Sequence, residues 1–395
     1  MKRRIYPLRD FLQNESSSGI VLVIAALLGM VIANTSLADE YFSILDYSFE
    51  IDFPGIFISL TVLKLINYAF MTLFFFVVGL EIKRELTSGH LSSFKSALAP
   101  FIAALGGMAF PAVIYLIFAG DIAPSGWAIP VATDIALAVG LMAIIGAQAG
   151  AGLRAFLLAL AVMDDIAAIL IIAVVYSTGV VISWGAGAFA AIVATFLLQK
   201  FRARSPWFYL PAGALLWYSL YRAGLHPTLA GVIMGLLTPA INLENSKLED
   251  GEDGRLTVVE VLESRLHPLS SFLVVPLFAF SNSGVALSSD VIGTALSSPI
   301  AWGIFFGLVV GKPLGIFATS KLFASRGLID LPEKTSAPAL IATGSVAGIG
   351  FTVAIVIAKL AFDDRALQDI AVMAVILGSV VSAVLALVLF KIFKR

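Results

Sequence analysis

The sequence contains no cysteine, only three histidines and few charged residues, and each shortage narrows the possible functions. Without cysteine there is no disulfide, no thiol chemistry and no cysteine-ligated metal. The histidines, at positions 90, 226 and 267, are too scattered to suggest a zinc site. Charged residues make up 13% of the 395 residues and hydrophobic residues 59%. A soluble protein of this length would need far more polar surface, so the composition predicts an all-α polytopic membrane protein.

Long apolar runs predict about twelve membrane-spanning helices in a single integral domain, residues 1–395. The predicted spans are residues 16–34, 59–82, 97–119, 123–146, 152–176, 180–200, 205–221, 226–240, 266–287, 300–321, 337–358 and 367–391. With both termini in the cytoplasm, twenty of the 25 Lys and Arg residues lie at inner loops or inner helix ends. Only Arg222, Lys359 and Arg365 lie outside, so the positive-inside rule supports the count and the orientation together.

Two of the predicted loops have a distinctive composition. Residues 45–53 alternate apolar and polar side chains and stop at Pro54-Gly55, which predicts a strand in a short periplasmic hairpin, residues 45–58. An irregular outer loop is the alternative. Residues 241–265 are polar and mixed in charge, so we interpret them as a cytoplasmic linker loop between two halves of the chain.

Two adjacent carboxylates, Asp164 and Asp165, stand in the middle of an apolar run that continues from Phe156 to Tyr176. Ionisable residues at membrane depth are costly and usually functional. Surroundings of low polarity disfavour the ionised form of a carboxylate, and a second carboxylate beside it adds to this effect, so we expect the pair to titrate as one coupled unit. Protons and a small hard cation then compete for the same oxygens, and a site that opens to either side can exchange one for the other.

The fourth predicted span contains a helix breaker followed by a charge. Pro130 lacks an N–H group and clashes with the preceding turn, so the helix should kink or break there. Asp134 follows four residues later, where a carboxylate can answer the positive end of a half-helix.

The eleventh predicted span is weakened by three glycines, Gly344, Gly348 and Gly350. Close helix packing through small residues is the alternative reading of such glycines. The fourth and eleventh spans are the middle members of two three-helix sets, residues 97–176 and 300–391. Interrupted helices at matching positions of two repeats indicate the ion-binding core of a transporter, here built from inverted repeats.

Lys312 is the other charge deep in a span. Snorkelling to the membrane interface is strained there, because about a dozen residues of the span precede it. We therefore expect an ion pair inside the helix bundle, with Asp164 or Asp165 as the counter-ion. Lys64 lies nearer the end of its span, where snorkelling is the preferred interpretation.

Together these motifs resemble the NhaA family of bacterial sodium/proton antiporters over nearly the whole chain. The resemblance rests on residues 75–86, 126–130, 133–134, 164–165, 226, 229–232, 276–280, 311–315 and 348–352. That family is itself a known example of inverted repeats with broken helices, so the repeat interpretation is not independent of the resemblance.

The resemblance implies an electrogenic, pH-regulated Na+(Li+)/H+ antiporter of the bacterial inner membrane, working by alternating access without a cofactor and not as an enzyme. It implies that Asp165 is the main Na+ ligand, with Asp164 as its partner and Thr133 beside the ion. Asp134 and Lys312 would balance the half-helix ends where the two broken spans cross. The expected partners are Na+, Li+, H+ and the lipid bilayer, and no nucleic acid.

The resemblance also implies a charged cytoplasmic mouth linked to pH control and a homodimer formed through the outer hairpin. The residues matching the pH-sensing group are Glu81, Arg84, Glu85, His226, Glu263 and His267. Tyr68 stands where an aspartate is expected and Ser264 where a histidine is expected, which leaves the pH set-point open.

Two other classes of protein also place carboxylates in a membrane. A passive cation channel suits interrupted helices, but a lysine paired within the same site argues against it. An intramembrane aspartyl protease needs two facing carboxylates, whereas consecutive residues such as Asp164 and Asp165 point about 100° apart on one helix. The protease's Gly-x-Gly-Asp sequence is also missing.

Overall fold

The computed structural model is predominantly helical, with one two-stranded antiparallel sheet. It describes residues 15–53, 56–89, 94–176, 181–201, 206–241, 257–287, 289–332 and 335–393. The chain divides into two compact units. Unit 1 comprises Met1–Phe42, His90–Ala168 and Ala279–Arg395, and unit 2 comprises Ser43–Gly89 and Ile169–Phe278.

The described residues form sixteen α-helices and two strands, besides short 3-10 helices. The first elements are α1 (Glu15–Ile32), α2 (Ala38–Asp46), β1 (Ser48–Phe53), β2 (Ile56–Thr61), α3 (Val62–Thr87), α4 (Phe94–Ala119), α5 (Ile135–Ile145), α6 (Gly150–Val175), α7 (Ile182–Lys200), α8 (Leu210–Ala223) and α9 (Leu229–Leu237). The later helices are α10 (Val258–Leu269), α11 (Val275–Asn282), α12 (Ser289–Ser297), α13 (Pro299–Ser325), α14 (Ala337–Ala347), α15 (Phe351–Ala361) and α16 (Arg365–Ile392). Both α3 and α13 contain a π-helical turn, at Ile66–Phe70 and Gly307–Gly311 respectively.

Within the described residues, seven helical spans are long and apolar enough to cross a membrane, or eight if α14 and α15 form one bent span. This establishes a multi-pass helical membrane protein but does not reach the predicted twelve spans. The spans predicted at 205–221 and 226–240 are the shorter helices α8 and α9. The one predicted at 266–287 divides into α10, a π-helical turn and α11.

The predicted outer strand is present as part of a hairpin. Strands β1 and β2 pair antiparallel, in a register that runs from Ser48 opposite Thr61 to Phe53 opposite Ile56. The first strand begins three residues later than predicted, because α2 continues to Asp46. Pro54 and Gly55 lie outside the described residues.

Most of the predicted linker loop, residues 242–256, lies outside the described residues. Its last part is helical, because α10 begins at Val258 and not at residue 266. A reciprocal capping box fixes this start: Thr257 accepts a hydrogen bond from the Glu260 N–H, and the Glu260 carboxylate accepts one from the Thr257 N–H.

Glycines bring the helices that carry the candidate residues close together. In unit 1, a Cβ atom on Gly315 of α13 would lie 2.1 Å from the carbonyl oxygen of Gly106 on α4. In unit 2, a Cβ atom on Gly79 of α3 would lie 2.7 Å from the carbonyl oxygen of Val232 on α9. Neither contact leaves room for a side chain, as expected for membrane helices packed through small residues.

Candidate functional site

Unit 1 contains two interrupted helical stretches. In the first, a 3-10 helix at Pro124–Val131 leads into extended residues 132–134 and then into α5. The interruption therefore lies just beyond Pro130, which is itself the seventh residue of the 3-10 helix. In the second, residues 348–350 separate α14 from α15, and the two helices are bent by 53°.

The two interruptions are hydrogen-bonded to each other. The Thr133 hydroxyl oxygen lies 2.9 Å from the carbonyl oxygen of Ala347. The Asp134 N–H donates to the carbonyl of Ile349, over 2.6 Å. The Thr352 N–H donates to Asp134 Oδ2 over 3.0 Å, and the Thr352 hydroxyl donates to the same oxygen. The freed backbone of each stretch thus satisfies polar groups of the other, as backbone at membrane depth must.

Asp134 serves the starts of two half-helices at once. Its Oδ1 accepts the Leu137 N–H over 3.0 Å and so caps the N-terminus of α5. Its Oδ2 accepts from Thr352 at the N-terminus of α15. A single carboxylate therefore faces the positive ends of both helix dipoles.

Lys312 lies against the negative end of the 3-10 helix at Pro124–Val131. Its ammonium donates to the carbonyl of Val131, the last residue of the 3-10 helix. It also lies 2.9 Å from Asp164 Oδ2, and both side chains are fully buried. Of the two counter-ions considered from the sequence, Asp164 is the one in contact with Lys312.

Asp164 presents its two oxygens to different surroundings. Oδ2 accepts from Lys312 and also lies 2.7 Å from the Thr133 hydroxyl oxygen. Oδ1 is buried and receives no hydrogen bond from any described residue. Asp165, the next residue along α6, is also buried. Thr133, Asp164 and Lys312 are therefore assembled at one point, with an oxygen still available to a ligand.

The three glycines of the eleventh predicted span are sites of close approach. A Cβ atom would lie 2.7 Å from Pro313 Cα if placed on Gly344, and 2.6 Å from the Leu308 carbonyl oxygen if placed on Gly348. On Gly350 it would lie 3.0 Å from a Leu308 methyl carbon. Gly348 and Gly350 have negative φ values, of −67° and −88°, so their lack of a side chain matters and not their conformational freedom. Close packing, the alternative reading, therefore applies together with the break.

Unit 2 holds a separate cluster of charges. Arg84 Nη1 lies 2.5 Å from Glu263 Oε1, and Arg84 Nη2 lies 3.4 Å from Glu85 Oε1. His267 Nε2 lies 4.0 Å from Glu81 Oε1. Five of the six predicted pH-sensing residues are thus brought together at the end of α3 and along α10.

Glu263 is the group of this cluster with a displaced proton affinity. Burial raises the pKa of Glu263 above its usual value; Arg84 opposes the rise, and the carboxylates of Glu85 and Glu260 add to it. Its Oε2 is buried without a hydrogen bond from the described residues. A carboxylate that burial and like charges push towards its protonated form is suited to respond to pH.

His226, the sixth predicted pH-sensing residue, lies elsewhere in unit 2. Its Nδ1 is hydrogen-bonded to the Thr228 hydroxyl, and its ring packs edge-on against Tyr68 with centroids 5.1 Å apart. Tyr68 and Glu81 are thirteen residues apart on α3, or about 20 Å at 1.5 Å per residue. His226 is therefore not part of the charge cluster.

Ser264, which stands where a histidine is expected, lies on α10. Its hydroxyl donates to the carbonyl of Val261 within the same helix.

Comparison with known proteins shows similarity over nearly the whole chain. The sequence profile of the family described as Na+/H+ antiporter 1 matches residues 9–390. The chain belongs to this family. It is 37% identical over 392 residues to the Na(+)/H(+) antiporter NhaA 1 of Clostridium beijerinckii, covering 98% of this chain and 96% of that one. It is 41% identical over 387 residues to the Na(+)/H(+) antiporter NhaA of Mesorhizobium japonicum, covering 97% and 94%.

A third relative is similar over a comparable length. The chain is 41% identical over 390 residues to the Na(+)/H(+) antiporter NhaA of Yersinia pseudotuberculosis serotype O:1b, covering 98% of this chain and 96% of that one. The resemblance inferred from the motifs is thus confirmed. Members of the Na+/H+ antiporter 1 family are multi-pass membrane transporters and not enzymes.

Three groups that the structure places beside the predicted site residues of this Na+/H+ antiporter 1 family member were not predicted from the sequence. They are the Thr352 side chain and the backbone carbonyls of Val131 and Ala347. Carbonyls leave no trace in a sequence, since every residue has one. Thr352 could have been noticed, because it is a polar residue two positions after Gly350 in an otherwise apolar segment.

Proposed function

We propose that this chain is an electrogenic antiporter that extrudes Na+, and Li+, in exchange for H+ by alternating access. Asp164 carries the proposal: it is a buried carboxylate in a membrane-spanning helix, held on one oxygen and without a described hydrogen bond on the other. The proposed exchange needs no cofactor, because competition between Na+ and H+ for one site is sufficient to exchange them.

The arrangement around Asp164 explains how a cation and a proton exclude each other. A Na+ ion needs several oxygen ligands, and the proposed ones are Asp164 Oδ1, Asp165 and the Thr133 hydroxyl. The Thr133 hydroxyl oxygen lies 2.7 Å from the other Asp164 oxygen, and both Asp164 Oδ1 and Asp165 Oδ1 are buried. The Lys312 ammonium already neutralises Asp164 when no ion is bound. Arrival of Na+ brings a second positive charge, which favours release of a proton from the site.

The two helix interruptions are the proposed pivot of the exchange. Residues 97–176 and 300–391 are the proposed inverted repeats of the ion-binding core, and each contributes one interruption. Asp134 and Lys312 compensate the half-helix ends that meet there, through the contacts with Leu137, Thr352 and Val131. Without these charges, the exposed helix dipoles would be costly inside a membrane.

The charge cluster of Arg84, Glu85 and Glu263 is the proposed pH control, with both chain termini on the same cytoplasmic side. Its support is the raised pKa of Glu263 together with the direct Arg84 contact. His226, which lies against Tyr68, forms a second and separate proposed sensor.

The outer hairpin is the proposed homodimer contact. One edge of β2 is occupied, because the Phe57 N–H donates to the Tyr218 hydroxyl and the Tyr221 hydroxyl donates to the Ser59 carbonyl. The other edge of β2 pairs with β1, so the outer edge of β1 is the one proposed to pair with a strand of a second copy. Glu50 lies opposite Ser59 in the register, so its backbone N–H and carbonyl point away from β2, towards the outer edge of β1.

The test is ion-driven proton movement in proteoliposomes that contain a trapped pH dye. A proton gradient is imposed, and NaCl, LiCl or KCl is then added at several pH values from mildly acidic to mildly alkaline. Dissipation of the gradient by Na+ and Li+ but not by K+ is the expected result. Equal responses to all three cations, at rates far above those of carriers, would instead indicate a passive channel. No response to any cation would refute the exchange.

A further inference from the structure

We propose that Thr352 is a positioning residue for transport, because its hydroxyl fixes the Asp134 carboxylate between the two half-helices. The inference rests on the proposed exchange function and adds a residue to it. Thr352 is the second residue of α15 and is 2% exposed, and Asp134 is 1% exposed.

Four described donors serve the Asp134 carboxylate. Three are backbone groups, the N–H groups of Ala136, Leu137 and Thr352, and the fourth is the Thr352 hydroxyl. The backbone donors are fixed by the starts of α5 and α15 and cannot adapt independently. The hydroxyl is therefore the only side chain among these donors, and the only one that a substitution can remove while both helix starts remain.

Asp134 contacts the segment around Thr352 through both its side chain and its backbone. The Asp134 N–H donates to Ile349, three residues before Thr352, so residues 349–352 are held from both directions. Loss of the hydroxyl bond would leave Asp134 Oδ2 without its side-chain donor and weaken the link between the two interruptions. A hydrogen bond to a charged group is stronger than one between neutral groups, so its loss should be measurable.

The effect should fall on turnover and not on ion affinity. Thr352 has no described contact with Asp164, and the oxygens proposed for Na+ keep their own anchors. Asp164 Oδ2 is held by Lys312, and Thr133 is held by Ala347. Removal of the Thr352 hydroxyl leaves these bonds in place while it loosens the half-helix starts that must move together.

The experiment compares Thr352→Val, which keeps the shape but loses the hydroxyl, with Thr352→Ser, which keeps the donor. Thr343→Val is the matched control, since Thr343 is fully buried but its hydroxyl donates to Ala339 of its own helix. Na+-driven proton movement is measured in proteoliposomes over a range of Na+ concentrations. We expect Thr352→Val to lower the maximal rate at least tenfold, about the loss expected for one such bond, with little change in the apparent KM for Na+.

The control and the rescue decide between a positioning role and a merely structural one. Thr352→Ser should recover most of the rate, and Thr343→Val should transport like the unsubstituted protein. A Thr352→Val protein with an unchanged maximal rate overturns the inference, whereas an unsubstituted protein that does not exchange Na+ overturns the proposed function itself. If Thr352→Val does not fold, Thr352→Cys replaces it, because a thiol is similar in size but a weak donor.

Discussion

Lys312 and Asp164 form an ion pair of 2.9 Å in which both side chains are completely buried. The lysine extends the pair to the end of the 3-10 helix through the Val131 carbonyl, and Thr133 extends it to α14 through Ala347. The pair therefore joins the proposed ion ligand Asp164 to the ends of two helices. Such an arrangement makes the site sensitive to the loss of either charge.

The first prediction concerns the loss of the lysine. Lys312→Ala leaves Asp164 as a buried carboxylate without its cation, which should cost about 3–5 kcal/mol if the charge persists. We expect a lower thermal unfolding midpoint in detergent. The control is Lys321→Ala, since Lys321 lies on the same helix but is exposed. Equal midpoints for the two variants would contradict a stabilising role of the pair.

The second prediction concerns pH and the carboxylate of Glu263. Burial, Glu85 and Glu260 raise its pKa against the opposing effect of Arg84, so the folded protein holds this proton more tightly than the unfolded chain does. Its contribution to stability is thus fully present below the ordinary glutamate pKa and is lost as the pH rises through the raised value. Glu263→Gln cannot lose this proton and should become more stable, relative to the unsubstituted protein, as the pH increases.

Unfolding midpoints measured from mildly acidic to mildly alkaline pH test this sign. The difference between Glu263→Gln and the unsubstituted protein should widen with pH, and the pH dependence of transport should flatten in the variant. Asp330→Asn, at an exposed position, should show neither change. A gap that narrows with increasing pH would mean that Arg84 dominates the site and not burial.

The sequence predicts the charged members of the site well and the helix lengths less well. Asp134, Asp164 and Lys312 are conspicuous because charges are rare in apolar runs. The cost of a buried charge also predicts that Lys312 pairs with Asp164 or Asp165, and Asp164 is the one in contact. The partner of Asp134 was not predictable, because Thr352 lies 218 residues away and many threonines in apolar runs bond to their own helix.

The twelve predicted spans outnumber the seven or eight apolar helices of sufficient length among the described residues. The span predicted at 226–240 is longer than α9, which has nine residues and lies between Pro227 and Pro239. A proline disfavours the continuation of a helix, so both ends of α9 had a signal in the sequence. The π-helical turn after α10, by contrast, is invisible in composition.

The third prediction concerns the close approach at the second interruption. A Cβ atom on Gly348 would lie 2.6 Å from the Leu308 carbonyl oxygen, a backbone atom that cannot rotate away. Gly348→Ala should therefore destabilise the protein by about 1–3 kcal/mol and reduce transport. Gly293→Ala in α12 meets nothing within 4 Å, and alanine favours a helix, so its unfolding midpoint should be unchanged or higher. Similar midpoints for both variants would show that the backbone at Gly348 can yield.

The fourth prediction separates ion binding from folding at Asp165. Asp165→Asn keeps the size of the side chain but removes the charge proposed to bind Na+, so Na+-driven proton movement should be abolished. The side chain is buried in a membrane-spanning helix, where a neutral amide is less costly than a carboxylate, so the unfolding midpoint should not fall. Asp364→Asn is the control, because Asp364 caps α16 and asparagine caps helices equally well. If Asp165→Asn still moves protons in response to Na+, then Asp164 with Thr133 binds the ion without it.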